Sequence, residues 1–245
     1  EELGLTTSTI VATGALDQAC GTISVGNIKP GIFTENIGAA LAICATQEKL
    51  TFDPKKRMPV HYHAIPNTYM CHTFTTGGMA LRWFRDVFCT EEVNVARLAN
   101  ISSYVLIDKE VEQVSAGSDG LVVLPHLQGA MAPEANPNAR GVFFGITLAH
   151  QKAHFARAIM ESIACAIMRN IEVLEDIGIK VTEIRAVGGG ARSKIWNQII
   201  ADLTKRPVIV TSHQDDAACM GAAMLAGKAV GLYRNLEEAV CKVVK

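Results

Sequence analysis

The sequence has no strong excess of charge of either sign and no long apolar run. Its 23 Lys and Arg residues nearly balance 24 Asp and Glu residues, and the formal net charge is −1. Proteins that bind the nucleic acid backbone normally carry a basic excess or a basic stripe. No apolar stretch approaches the roughly 18 residues that a membrane-spanning helix requires. We therefore expect neither nucleic acid nor a membrane as a partner.

The sequence also lacks a disulfide pattern. Its seven cysteines lie far apart and form no C-x-x-C pair, which does not fit the framework of a small secreted protein. We expect reduced, mostly buried thiols and a soluble, cytoplasmic protein. The chain starts at Glu1 without a methionine, which suggests a piece of a longer protein.

The common phosphate-binding signatures are missing as well, although a glycine run is present. Gly188–Gly190 follows an apolar stretch and precedes a helical pattern, but neither a Walker A motif nor a G-x-G-x-x-G fingerprint is formed. Three successive glycines cost conformational entropy on folding, which favours contact with a ligand. A tight turn is the alternative.

The spacing of apolar residues predicts a β-rich first part and an alternating α/β second part. Strands are predicted at 10–13, 32–37, 41–44, 58–65, 121–124, 184–187 and 208–210. Helices are predicted at 77–89, 91–100, 151–175, 193–203 and 217–230. The second and third strands form a hairpin with Gly38 at its tip. The alternation beyond residue 183 predicts an α/β layer with at least one parallel strand pair.

Three separated blocks carry a more specific signal: GVFFGITLAHQKAHFARAIMESI at 141–163, AVGGGARSKIWNQIIADLTKRPVIV at 186–210, and DDAACMGAAMLAGKAVGLY at 215–233. In this order they resemble the FGGY family of carbohydrate kinases, xylulose kinases in particular. The resemblance implies an α/β, actin-like ATPase (ribonuclease H-like) domain, the C-terminal half of a two-domain sugar kinase. It also implies that residues 1–30 are the tail of an N-terminal sugar-binding domain and that 31–245 form the nucleotide-binding domain.

Asp17, in the segment TGALDQACG, matches the acid of the family's G-x-x-D-Q motif. The resemblance implies that Asp17 is the general base that takes a proton from the sugar hydroxyl, and that it accompanies the Mg²⁺ of ATP. A carboxylate oriented on the attacking oxygen suits phosphoryl transfer. From the residues alone, a helix cap or an Asx turn is the usual role of a lone Asp in a turn.

Gly38 matches the glycine of the family's second phosphate loop, where backbone amides contact the nucleotide phosphates. The family usually has threonine next, whereas this chain has Ala39, so we expect altered ATP handling rather than its loss. Residues 129–131, Gly-Ala-Met, replace a Gly-Glu-Arg sequence that is usual in the family, which leaves the level of activity open.

Further nucleotide contacts are implied by resemblance, on the adenosine side and at the start of the helix near residue 78. For Arg82, a solvent-exposed helix face is an equal alternative, and Trp196 is expected to anchor the core rather than to stack on the base. The implied nucleotide-binding residues are Gly38, Ala39, Gly78, Arg82, Gly188, Gly189, Gly190 and Ser193.

The resemblance thus implies phosphorylation of a small sugar or polyol by ATP, with xylulose as the first candidate. A nucleotide-binding regulatory protein, or a member with reduced catalysis, is the alternative. The missing N-terminal domain is the expected partner, and homodimerisation stays open. Because most sugar contacts would lie upstream of Glu1, we expect no sugar phosphorylation from residues 1–245 alone.

Overall fold

The computed structural model describes residues 4–212 and 215–244. Its α-helices are α1 (Asp17–Ser24), α2 (Met79–Phe88), α3 (Thr90–Ala99), α4 (Ser103–Val111), α5 (Lys152–Asp176), α6 (Lys194–Thr204), α7 (Ala217–Ala229) and α8 (Leu236–Val243). Its strands are β1 (Ile32–Ile37), β2 (Ala40–Gln47), β3 (Val60–Tyr62), β4 (Tyr69–Thr76), β5 (Val122–Leu124), β6 (Val142–Phe144), β7 (Glu183–Val187) and β8 (Val208–Val210).

A six-stranded mixed sheet in the order β3-β4-β2-β1-β7-β8 forms the centre of the fold. β1 and β2 make the predicted antiparallel hairpin, in which Ile37 pairs with Leu41. β1 runs parallel to β7, with Asn36 opposite Val187, and β7 runs parallel to β8. The predicted α/β layer with a parallel pair is therefore confirmed. Because parallel neighbours end at the same edge, the loops that follow β1 and β7 leave the sheet side by side.

The main hydrophobic core lies between one face of this sheet and the helices α2, α4, α5 and α6. The apolar stripe predicted on the longest helix is confirmed, since most of its members are fully buried: Ile159, Ile163, Ile167, Ile171 and Leu174. Phe33 and Ile37 of β1 face the same core.

Helices α1 and α7 pack on the opposite face of the sheet and cross at very short distance. A Cβ atom at Gly221 in α7 would lie 1.9 Å from the carbonyl oxygen of Cys20 in α1, so only glycine fits there. Ala19 of α1 packs against Cys44 and Met70 of the sheet. This packing fixes the position of Asp17, the first residue of α1.

Two predicted strands differ from the structure. Residues 10–13 are not a strand, because no neighbouring strand pairs with them, and Val11 is exposed. Of the predicted strand 58–65, only Val60–Tyr62 pairs with β4. Helices α1, α4 and α8 and strands β4 and β6 were not predicted from the sequence. In α4 only Ile107 and Val111 are buried, which is too few to produce a helical pattern.

No helix in the described ranges is long and apolar enough to cross a bilayer. The seven cysteines are free, as expected. Four are buried, and Cys165, Cys219 and Cys241 are exposed.

Glu35 is an ionisable residue buried in the core. It lies between Phe33 and Ile37 on the same face of β1, is 0% exposed, and neither carboxylate oxygen has a hydrogen-bond partner in the described residues. Burial raises its pKa from 4.5 to about 8. The folded protein therefore favours the protonated form of this side chain.

The first testable consequence is a pH dependence of stability. The folded-state pKa of Glu35 lies above its unfolded-state value. Its contribution to the free energy of unfolding is therefore fully present below about pH 4.5 and is lost as the pH rises towards 8. Glu35→Gln should remove this loss and raise the free energy of unfolding by about 3 kcal/mol near pH 8.5. Urea unfolding at several pH values measures the difference. Glu48→Gln, at an exposed position, is the charge-matched control, and parallel profiles for Glu35→Gln and the wild type would contradict the expectation.

The second consequence concerns the crossing of α1 and α7. Gly221→Ala should lower the free energy of unfolding by about 2 kcal/mol or more, because the two helices must move apart. Gly21→Ala is the matched control. It lies in α1, has no heavy atom within 4 Å of the added Cβ, and should be neutral or stabilising by up to about 1 kcal/mol. Equal destabilisation of both variants in thermal unfolding would refute the close crossing.

Candidate nucleotide site

A cleft of about 420 Å³ lies at the sheet edge where the loops after β1 and β7 emerge. The starts of α2 and α4 contribute its other residues. The lining residues are Ile37, Gly38, Ala39, Gly78, Met79, Leu81, Arg82, Ser102, Tyr104, Val105, Asp108, Gly189, Gly190, Arg192, Ser193 and Trp196. The parallel pairing of β1 with β7 is what brings the two glycine-containing loops together.

Seven of the eight residues expected at the nucleotide line this cleft, although they come from three distant parts of the sequence: Gly38, Ala39, Gly78, Arg82, Gly189, Gly190 and Ser193. Gly188, which follows β7, is not among the lining residues. Asp17 is not among the lining residues.

Two of the three successive glycines are required by the packing of the protein itself. Gly188 has a φ of 78°, and a Cβ there would lie 2.3 Å from Oδ1 of Asn36. A Cβ at Gly190 would lie 2.5 Å from the Cβ of Ile37. Both glycines therefore allow the loop after β7 to lie directly against the end of β1.

Gly189 and Gly38 differ, because nothing in the protein excludes a side chain there. The nearest atom to a Cβ at Gly189 is the carbonyl oxygen of Ile37 at 3.9 Å, and at Gly38 it is the carbonyl oxygen of Ala40 at 3.7 Å. Neither glycine has a positive φ. The tight-turn alternative therefore does not account for Gly189, and both glycines leave free space in the cleft where a ligand can approach the backbone.

The start of α2 is attached to the loop after β1. The Gly78 amide donates to the carbonyl oxygen of Gly38 at 3.0 Å, and the Met79 amide donates to that of Ala39 at 2.9 Å. A Cβ at Gly78 would lie 2.5 Å from the Gly38 carbonyl oxygen. Residues 38, 39 and 78 thus form one connected wall.

Two arginines give the cleft positive charge. Arg82 pairs with Asp86 at 3.7 Å, and Arg192 pairs with Asp215 at 2.9 Å. Both arginine side chains are well exposed. Arg82 therefore lines the cleft and also lies on a solvent-exposed helix face. Arg192 was not predicted from the sequence, although its position two residues after the glycine run was a usable signal.

Ser193 and Trp196 begin α6. The Ser193 hydroxyl accepts a hydrogen bond from the Trp196 amide at 3.1 Å and so caps the helix. Trp196 is buried, and its indole N–H donates to the carbonyl oxygen of Met160 at 3.1 Å. The expectation that Trp196 anchors the core is confirmed.

Asp108 of α4 also lines the cleft and was not anticipated, since α4 itself was missed. Its Oδ1 atom is buried and has no hydrogen-bond partner in the described part of the chain. Burial raises the pKa of Asp108, the nearby charge of Glu112 adds to this, and contact with the Ser193 hydroxyl opposes it.

Asp17 is exposed at the start of α1, and its Oδ1 accepts the Gln18 amide at 2.7 Å. Its charge contributes, after burial, to raising the pKa of Cys44 in β2. The expected base therefore faces solvent near β2, separate from the residues that line the cleft.

The loop that lacks the family's Gly-Glu-Arg borders the phosphate-loop region. A pocket of about 150 Å³ is lined by Ala39 and Ala40 on one side and by Gln128, Gly129 and Met131 on the other. The two departures from the family pattern, Ala39 and the apolar Met131, are thus neighbours in space.

The geometry agrees with comparisons to known proteins. Residues 40–230 match the model of the FGGY family of carbohydrate kinases, C-terminal domain. The chain is 34% identical to a gluconokinase of Bacillus subtilis over 95% of its own length and 44% of that protein's. It is 32% identical to a xylulose kinase of Bacillus subtilis over 96% of its own length and 45% of that protein's.

Among solved structures, a xylulose kinase from Rhodospirillum rubrum superimposes with a TM-score of 0.85 at 31% identity, covering 99% of this chain and 47% of that one. This chain therefore spans a little under half the length of these relatives. The fold is the actin-like ATPase fold of the sugar kinases. On the family match and on the arrangement of its glycine-lined cleft, the chain belongs to the FGGY family of carbohydrate kinases, of which it carries the C-terminal domain.

Proposed function

We propose that the full-length protein transfers the γ-phosphate of Mg·ATP to a hydroxyl of a small sugar or polyol. The observation that carries this proposal is the cleft between the loops after β1 and β7. Gly38 and Gly189 line this cleft, and the packing of the protein would allow a side chain at either position. Such a surface allows backbone amides to approach an anion or a purine closely.

The chain's own residues fit a nucleotide. The connected wall of Gly38, Ala39 and Gly78 offers a surface for phosphates, and Arg82 and Arg192 offer compensating charge. The opposite wall, from Gly189 to Ser193, offers a surface for adenosine. ATP would supply the phosphoryl group, and these residues would orient it.

Asp17 is the proposed general base and the proposed carboxylate near Mg²⁺. Mg²⁺ prefers oxygen ligands and keeps several of its waters, so a carboxylate can bind it directly or through a water. Its exposure at the start of α1 leaves it free to face a second domain. In that arrangement residues 1–30 are the proposed tail of the sugar-binding domain, within which α1 packs against α7 and the central sheet. The missing N-terminal domain would supply the sugar contacts.

Xylulose is the first candidate substrate and gluconate is the second, because a xylulose kinase and a gluconokinase match this chain about equally well. A sugar panel with the full-length protein separates them. The free cysteines support a reducing, cytoplasmic location. A homodimer of the full-length protein remains a further proposal.

The second candidate function is a nucleotide-binding regulatory protein or a kinase with reduced catalysis. It is favoured by Ala39, which lacks the usual threonine hydroxyl, and by the apolar Met131 beside it. Nucleotide binding without stimulation of hydrolysis by any sugar would favour this function. Clear stimulation by a sugar would exclude it.

A substitution at Gly189 tests the nucleotide cleft. Gly189→Leu should weaken Mg·ADP binding to this chain at least about tenfold, a loss of about 1.4 kcal/mol, because the side chain occupies the ligand's space. The melting temperature should stay nearly unchanged, since Gly189 is exposed and an added Cβ meets no atom closer than 3.9 Å. Calorimetric titration measures the affinity. Gln198→Leu, on the exposed side of α6, is the control, and unchanged affinity in Gly189→Leu would contradict the assignment.

A substitution at Asp17 tests the chemistry. In the full-length protein, Asp17→Asn should lower sugar-dependent ATP turnover by about 10²- to 10⁴-fold, the usual contribution of a general base, and leave nucleotide affinity unchanged. A coupled assay of ADP release measures the rate. Asp202→Asn is the control, and residues 1–245 alone should give no turnover. Comparable turnover in Asp17→Asn and the wild type would disprove the role of Asp17.

A further inference from the structure

The nucleotide cleft contains a carboxylate with one oxygen that the chain itself does not satisfy. Asp108 lies on α4, and its Oδ1 atom is buried without a hydrogen-bond partner in the described residues. A buried polar atom without a partner destabilises a protein, and more so when the group is charged. Such an atom beside a ligand cleft is expected where a ligand completes the hydrogen bonds.

The sign of the charge limits which part of a nucleotide this carboxylate can face. An ionised carboxylate only accepts hydrogen bonds, and it repels phosphate oxygens. Its neighbour Ser193 follows the glycine run, whereas the proposed phosphate wall is formed by Gly38, Ala39 and Gly78. Asp108 therefore suits the uncharged, donor-bearing end of the ligand.

The surroundings of Asp108 do not offer the missing donor. The Ser193 hydroxyl accepts from the Trp196 amide and still has its O–H available to the Asp108 carboxylate, but no hydrogen bond reaches Oδ1. The indole N–H of Trp196 donates away from the cleft to Met160. Arg82 and Arg192 also line the cleft, but their guanidinium groups pair with Asp86 and Asp215. No described residue donates to Oδ1, so a donor on the bound ligand would complete its hydrogen bonding.

We propose that Asp108 is a specificity-determining residue that accepts a hydrogen bond from a donor on the nucleoside part of the bound nucleotide. Two donors share this chemistry: the exocyclic amino group of adenine and the hydroxyls of ribose. This inference rests on the proposed nucleotide-binding function and extends it from binding a nucleotide to choosing among nucleotides.

The experiment titrates this chain with the magnesium complexes of ADP, inosine diphosphate and 2′-deoxy-ADP, for the wild type, Asp108→Asn and Asp108→Ala. Inosine diphosphate replaces the amino group by a carbonyl oxygen, and 2′-deoxy-ADP lacks one ribose hydroxyl. Glu112→Gln is the control, because it removes the same charge from the end of the same helix without lining the cleft. Thermal unfolding of each variant reports whether it is folded.

The wild type should bind ADP about tenfold to a hundredfold more tightly than the analogue that lacks the recognised donor, as for a hydrogen bond to a charged group. Asp108→Ala should lose this preference, and Glu112→Gln should keep it. Loss against inosine diphosphate identifies the amino group as the donor, and loss against 2′-deoxy-ADP identifies the ribose.

Equal preferences in the wild type and a folded Asp108→Ala variant would overturn this inference and leave nucleotide binding intact. Failure of the wild type to bind any of the three nucleotides would overturn both this inference and the proposed nucleotide site. Pyrophosphate, titrated in parallel, separates the contribution of the phosphates: Asp108→Ala should bind it no more weakly than the wild type does.

Discussion

The parallel pairing of β1 with β7 is the constraint on which the rest of the site depends. It connects residues about 150 positions apart in the sequence and places Asn36 opposite Val187, so that both strands end at one edge of the sheet. The loops that begin at Gly38 and Gly188 then form opposite walls of one cleft. A shift of this register by one residue would turn the side chains of β1 to the other face and separate the walls.

Close backbone contacts hold the loop after β7 and the start of α2 against the end of β1. Gly188 and Gly190 allow the second loop to touch Asn36 and Ile37, and Gly78 allows α2 to start directly on the carbonyl of Gly38. Gly189 and Gly38 differ, because an added side chain at either position would not clash with the rest of the protein. The glycines of the cleft therefore divide into those that packing requires and those, Gly38 and Gly189, that packing does not require.

Much of this site could be predicted from the sequence. The hairpin at Gly38, the long apolar helix and the strand–glycine–helix order all follow from local patterns, and seven expected nucleotide residues do meet in one cleft. Asp108 could not be found in this way, because α4 buries too few apolar residues to show a helical period. Residues 10–13 illustrate the opposite error: they have the composition of a strand but no neighbour to pair with. Asp17 was identified from resemblance, and its placement outside the cleft depends on the helix crossing at Gly221, which no local pattern shows.

Hydrogen–deuterium exchange of this chain with and without Mg·ADP tests the central claim most directly, because it reports on both walls of the cleft in one experiment. The expected result is slower exchange of backbone amides at Gly38–Ala39 and at Gly189–Ser193 together, with little change in α5. Protection of only one of these loops, or nucleotide binding that leaves both unprotected, would contradict a nucleotide site built on the pairing of β1 with β7.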